Sequence, residues 1–247
     1  MSVLASEIVI YGSTVMAEDD TTGSVGGSIN TAIKMEFTDI SPSGTVEMLS
    51  SAVGDTTQTV TIHYRDTQGV LTSEQKTVNG TSVVAFTSTM ERIMKVVMSA
   101  TATGTVTIRK SSVGATLVTM EPGITQVRRP FYNVSAPATG SKIYMEKVFC
   151  RNNNTTTALT SATIAEQADP STKITFAVAP TLEDTATTTN RITDSTALTF
   201  DNTTKSVANS GNLTATSAQG VWLKLSLNDT DVATKTTYTL RVQGNTI

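Results

Sequence analysis

Short runs in which every second residue is apolar recur along the whole chain, cut by turn residues every few positions. TVTIHYRD at 59–66 sets Val60, Ile62 and Tyr64 against Thr61, His63 and Arg65. GVWLKLSLN at 220–228 aligns Val221, Leu223, Leu225 and Leu227 opposite Trp222, and TYTLRVQG at 237–244 aligns Tyr238, Leu240 and Val242. A repeat of two turns one face to a core and the other to water, which is strand geometry and not helix geometry. About one residue in five is Thr, and such β-branched side chains suit a pleated surface while losing rotamer freedom in a helix. The chain therefore reads as all-β.

EIVIY at 7–11 is a first short strand, and AEDDTTGSVGGS at 17–28, acidic and then Gly/Ser-rich, reads as a mobile loop. AIKMEFT at 32–38 alternates Ile33, Met35 and Phe37 with Lys34, Glu36 and Thr38, so the apolar set is expected inside. GTVEMLSS is its neighbour. DTQGV at 66–70 turns one strand into the next, and Asn79-Gly80 is the pair favoured in type I′ hairpin turns. SVVAFTS, RIMKVVMSA, GTVTIRK and ATLVTM complete a first series, whose apolar faces need a second layer to cover them. EPGITQVRRP at 121–130, with two prolines and adjacent arginines, breaks the rhythm and marks a domain boundary. A second series follows: FYNVSA, KIYMEKVFCRN, LTSATIAEQ, KITFAVA, ALTF, GVWLKLSLN and TYTLRVQG. The polar stretches 181–196 and 201–220 between them read as long surface loops, ordered against a partner. The expectation is two tandem Ig-like or jelly-roll-like β-sandwich domains, residues 1–122 and 123–247.

Chemistry is sparse in this sequence. A formal net charge of −3, with 16% charged residues, offers no basic excess to a phosphate backbone, so nucleic acid is not an expected partner. No stretch reaches the length of a membrane span and the first residues lack a positive n-region, which predicts a soluble product made in the cytoplasm. Cys150 is the only cysteine, which rules out an intrachain disulfide and a multi-Cys zinc site. Its sole possible imidazole partner, His63, lies on the polar face of a strand in the other half, so Cys150 reads as a small hydrophobe at a strand end. Glu18, Asp19 and Asp20, and the pair Asp229 and Asp231, are the places where oxygen ligands gather, but neither matches an EF-hand loop. Acidic surface loops are expected there, with no metal and no cofactor. N-x-S/T triplets at Asn79 and Asn202 arise by chance in so Thr-rich a chain. No phosphate-loop, dinucleotide, nucleophile-elbow or HExxH motif is present, and no enzymatic activity is expected. Three residues are interface candidates. Arg128 and Arg129 either anchor a partner's carboxylates or tie the two domains together, and Trp222 is either covered by a loop or exposed at an interface.

The order YMEKVFCRNNNTTTALTSATI, EQADPSTKITFAVA, GVWLKLSLN and TYTLRVQG resembles a module of tailed-bacteriophage structural proteins. In that module an aromatic-rich strand ends in an Asn/Thr turn, and a late V-W-[LI]-[KR] strand precedes a closing strand. The likeness covers about residues 128–247. It implies an Ig-like β-sandwich in a virion structural protein, with the outer surface of the head as its location and the host cytoplasm as its place of synthesis. It further implies a capsid decoration or cement role, with the major capsid protein as partner and a homo-oligomer, such as a trimer, as the assembled form. A tail, neck or fibre component is the alternative, and a carbohydrate-binding β-sandwich is a second.

Overall fold

The computed structural model describes residues 2–16, 18, 23–232 and 237–246, and the chain is nearly all β. The first ten strands are β1 (Ile8–Val15), β2 (Gly26–Lys34), β3 (Val46–Ser50), β4 (Thr59–Arg65), β5 (Leu71–Thr77), β6 (Val84–Ala85), β7 (Arg92–Met98), β8 (Val106–Lys110), β9 (Thr116–Met120) and β10 (Gln126–Arg128). The rest are β11 (Ser141–Asn152), β12 (Thr160–Ala168), β13 (Ile174–Leu182), β14 (Lys205–Ser206), β15 (Ala218–Asn228) and β16 (Thr239–Asn245). No helix among the described residues is long and apolar enough to cross a membrane.

The strands gather into two compact units that differ from the expected tandem halves 1–122 and 123–247. One unit holds residues 1–30 and 133–247, the other residues 31–132. The first strand groups with the second half because β1 is antiparallel to β11, Ile8 opposite Asn152 through Gly12 opposite Val148. The expected boundary at 121–130 is itself structured: β10 pairs with β7 and, in parallel, with the end of β2, and Val127 and Arg128 are fully buried.

In the 31–132 unit, β4 lies between β5 and β7, and β3 and β8 lie between β6 and β9. Each sheet buries one row of side chains, Val60, Ile62 and Tyr64 on β4 and Val46 and Met48 on β3, as the two layers of a sandwich do. The β4–β5 hairpin closes at 66–70 as expected, with Asp66 Oδ1 accepting from the Gln68 and Val70 amides. Two expectations fail here. The turn at Asn79 is shifted: Ser82 N–H donates to Asn79 O, Gly80 takes the positive φ of +55°, and the turn leads from β5 into β6 of the other sheet, with a single antiparallel bridge, Asn79 to Ser82, in place of a hairpin of two strands. In AIKMEFT the strand ends at Lys34, and Lys34 is the buried residue, its ammonium held between Glu36 and Glu121 at 2.9 and 3.1 Å.

In the other unit the hydrogen-bonded order is β13-β15-β11-β1-β2, with a second sheet β14-β12-β16. β11 and β15 pair over eleven positions, from Ser141 opposite Asn228 to Arg151 opposite Ala218. FYNVSA and ALTF form no strand. Of the expected mobile loop 17–28, residues 17 and 19–22 lie outside the described residues, and residues 26–28 begin β2. Gly26 is needed there: its φ is +113°, and a Cβ would come within 2.6 Å of both Ala186 O and the Trp222 ring.

Candidate functional site

The chemistry of this protein concentrates on β11, where seven consecutive residues, Tyr144 to Cys150, are buried. A strand covered on both faces must do something with its charges, because an ion moved out of water is costly unless paired and hydrogen-bonded. Glu146 and Lys147 lie on opposite faces of β11, and both are wholly buried. Each meets a partner from the segment after β13.

Lys147 Nζ donates to the backbone carbonyls of Gly27, Asp184 and Ala186 at 3.0, 2.9 and 3.1 Å and to Asp184 Oδ2 at 2.5 Å. The Phe149 and Trp222 rings stand 5.0 and 5.1 Å from the same nitrogen. Burial pulls this lysine below its ordinary range, and Asp184 pulls the other way without restoring it. On the opposite face Arg191 Nη2 donates to Glu146 Oε1 at 2.8 Å, with both side chains fully buried, and the guanidinium lies 5.5 Å from the Tyr144 ring. Backbone bonds fasten the same segment: Gly27 N–H to Ala186 O, Thr188 N–H to Val25 O, and Met145 N–H to Arg191 O. Residues 184–191 therefore form a clamp along β11, and the expectation of a surface loop at 181–196 is corrected: Thr188 and Arg191 are core residues. The stretch 201–220 likewise turns inward, burying Val207, Leu213, Ala218 and Gln219.

The Asn/Thr tract after β11 is a second polar knot. Asn152 Nδ2 donates to Thr157 O and Leu213 O, Asn154 Oδ1 accepts from the Thr156 and Thr157 amides, and Asn154 Nδ2 reaches both Glu7 oxygens. Asn side chains that close turns on their own backbone are the signal that marks such a tract in a sequence. In the 31–132 unit Asp55 plays a comparable part. Its carboxylate accepts from Ser50 Oγ at 2.6 Å and from the Thr103 and Gly104 amides, and these bonds, Ser50 first, lower its pKa. Sequence reading passed over Asp55, since nothing in GDTTQ announces partners some fifty residues away.

Of the three interface candidates, Arg128 and Trp222 are buried and Arg129 is partly covered. Trp222 is 1% exposed and packs with Val25, Met145 and Ala177; Gly26 covers its ring, which settles the choice left open for it in favour of a covered residue. Arg128 is fully buried, its guanidinium 5.7 Å from the Tyr132 ring. Arg129 donates to Ile93 O at 2.8 Å, pairs with Asp39 and lies over Phe37. Burial and the neighbouring Arg92 bring it down to about 10 despite Asp39. These partners all belong to the 31–132 unit, so Arg128 and Arg129 brace that unit from within.

The reactive side chains are spent in the same way. Cys150 is 1% exposed and burial pushes its thiol up to about 12, so at neutral pH it is not a thiolate. His63 stands edge-on to Tyr132, ring centroids 5.8 Å apart. Asp229 accepts from the Gly140 amide, and Asp231 accepts from the Asn228 amide and pairs with Lys173 at 2.9 Å. Asp19 and Asp20 lie outside the described residues. No group of three or more His, Cys, Asp or Glu comes together as a metal site among the described residues. A cleft of about 280 Å³ lined by Lys34, Glu36, Thr38 and residues 116–119 is polar, and its one cation is already held by two carboxylates. No protein-family model, curated protein or solved structure matches the chain.

Proposed function

We propose that this chain is a non-enzymatic structural protein of a tailed-phage virion, a decoration or cement protein that binds the assembled head. The observation that carries the reading is the order of segments over residues 128–247 that resembles such modules. Those segments are β11, its Asn/Thr turn, β12, β13, β15 and β16, the framework of one compact unit. The fate of the polar groups supports it. Cys150, Glu146, Lys147 and Arg191, which an enzyme would present to a substrate, are engaged in packing, and what reaches solvent is largely Thr, Ser and Asn on turns.

Binding where capsomers meet stabilises the shell by mass action, since a ligand of the assembled state alone shifts assembly toward it. With Arg128 and Trp222 buried and Arg129 engaged by Asp39 and Ile93 O, the contact falls to exposed apolar residues outside the strands, Val53, Val232 and Val113 first, which are 79%, 79% and 74% exposed. The partner in this reading is the major capsid protein, met by a homo-oligomer whose symmetry matches a capsid position, a trimer at a local threefold. The test is to mix purified protein with expanded empty heads and, separately, with isolated tails. Co-sedimentation with heads, and heads that resist heat better for it, is the expected result. Binding to tails alone transfers the chain to the tail, neck or fibre class, and saturable glycan binding with no affinity for either particle overturns the virion reading.

A further inference from the structure

We propose that Lys147 and Asp184 are joined by a side-chain amide, an intramolecular isopeptide bond that welds the 184–191 clamp to β11. The proposal is independent of where the protein acts. It rests on the geometry of the pair. The two residues are 37 positions apart, yet Lys147 Nζ lies 2.5 Å from Asp184 Oδ2, nearer than to any of the three carbonyls around it. The lysine side chain is wholly buried and that of Asp184 is 13% exposed, so little water competes for the carboxyl group. The Phe149 and Trp222 rings wall the site. Gly220 makes room for the lysine, as a Cβ there would press on Lys147 Cε at 3.0 Å.

The step balances within the pair. Lys147 passes one proton to the Asp184 carboxylate, giving an amine beside a carboxylic acid. The nitrogen lone pair attacks Asp184 Cγ, the bond from Cγ to the acid oxygen breaks, and that oxygen leaves as water with the transferred proton and one more from nitrogen. No oxidant and no activated carboxyl enters. The Ala186 amide, 3.3 Å from Asp184 Oδ2, donates to the oxygen that takes the lysine's proton and leaves, and so holds the carboxyl in place for the attack. Burial, which lowers the lysine's proton affinity, favours the amine that must attack. The product keeps one N–H for the surrounding carbonyls and gives up two, and in return a buried charge pair is abolished. With Cys150 as the single cysteine, no disulfide can supply an intrachain tie of this kind.

Intact-mass spectrometry of the folded, then denatured, full chain tests this directly. The expected mass is that of the sequence less one water, and in a tryptic digest cleavage after Lys147 is lost and a branched peptide carries both Lys147 and Asp184. Asp184→Asn is expected to form the same branch with loss of ammonia instead of water, whereas Lys147→Arg retains its full mass. A wild-type mass equal to that of the sequence, with normal cleavage after Lys147, overturns the proposal. So does a missing water without the branched peptide, as a cyclised Asp elsewhere in the chain would produce.

Discussion

Strands β4 and β11 obey different rules. On β4 the inward Val60, Ile62 and Tyr64 alternate with half-exposed Thr61, His63 and Arg65, and the hydrophobic effect alone fixes which face is which. On β11 both faces are buried, and the faces carry Glu146 and Lys147 as well as Met145, Val148 and Phe149. A strand of the first kind needs one partner layer. A strand of the second kind needs a matched counter-charge on each side, and here both come from one segment, as Asp184 and Arg191. The lesson is that a polar, patternless segment can belong to the core when the core contains ions.

The largest expected effect separates the two strands. Arg191→Met removes the buried guanidinium that pairs with Glu146 and should cost about 3–5 kcal/mol of unfolding free energy, whereas replacing both members by apolar residues of similar size should recover most of the loss. Denaturant titration of the single and double variants checks this; equal losses in both would mean that packing, not charge, is at stake. On β4, Ile62→Ala should cost about 2–5 kcal/mol through cavity formation, with no counter-charge to rescue it.

Acid sharpens the comparison from another side. Burial raises the Glu74 carboxyl, but the Thr87 and Ser88 hydrogen bonds and Lys76 outweigh it, and the group falls to about 2. Asp201 falls to about 2 through Lys205 and Thr203. Both folded values lie below the ordinary unfolded value of about 4, so this stabilisation is present above about pH 4 and lost as pH falls toward about 2. The thermal midpoint should drop across that window, and Glu74→Gln should flatten the drop. A midpoint independent of pH there would contradict these pairings.

The smallest effects belong to exposed positions. Arg65→Ala on the outer face of β4 and Val53→Ser on the turn after β3 should each change stability by less than about 0.5 kcal/mol. Val53→Ser should nevertheless weaken binding to heads if that turn is the contact. Native Cys150 should resist thiol reagents and react only as fast as the chain opens.

What was legible in the sequence follows the same division. The hairpin of β4 and β5 and the strands β11, β12, β13, β15 and β16 stand out because alternation or a continuous apolar run is a local signal. ALTF carries apolar residues but forms no strand: Leu198 and Phe200 instead pack against the cluster around Trp222. The beginning of β2 was hidden because Gly26 and Gly27 look like loop residues until Trp222 and Ala186 are seen beside them. The clamp was hidden because its pairs are 37 and 45 residues apart, and no local pattern encodes which of many carboxylates meets which cation. For the same reason the sequence left two readings open for Arg128 and Arg129 and two for Trp222, whereas Arg128 and Trp222 are buried and Arg129 is spent on Ile93 O and Asp39.

The central claim is that residues 184–191 are part of the folded core of the free protein and not an arm ordered by a partner. Residue-resolved hydrogen exchange on the isolated protein tests it most directly. The Thr188 amide, bonded to Val25 O at 2.9 Å, and the Met145 amide, bonded to Arg191 O at 2.8 Å, should exchange as slowly as the amide of Ile62 in β4. Exchange of both at the rate of an open chain, with β4 still protected, would contradict the account.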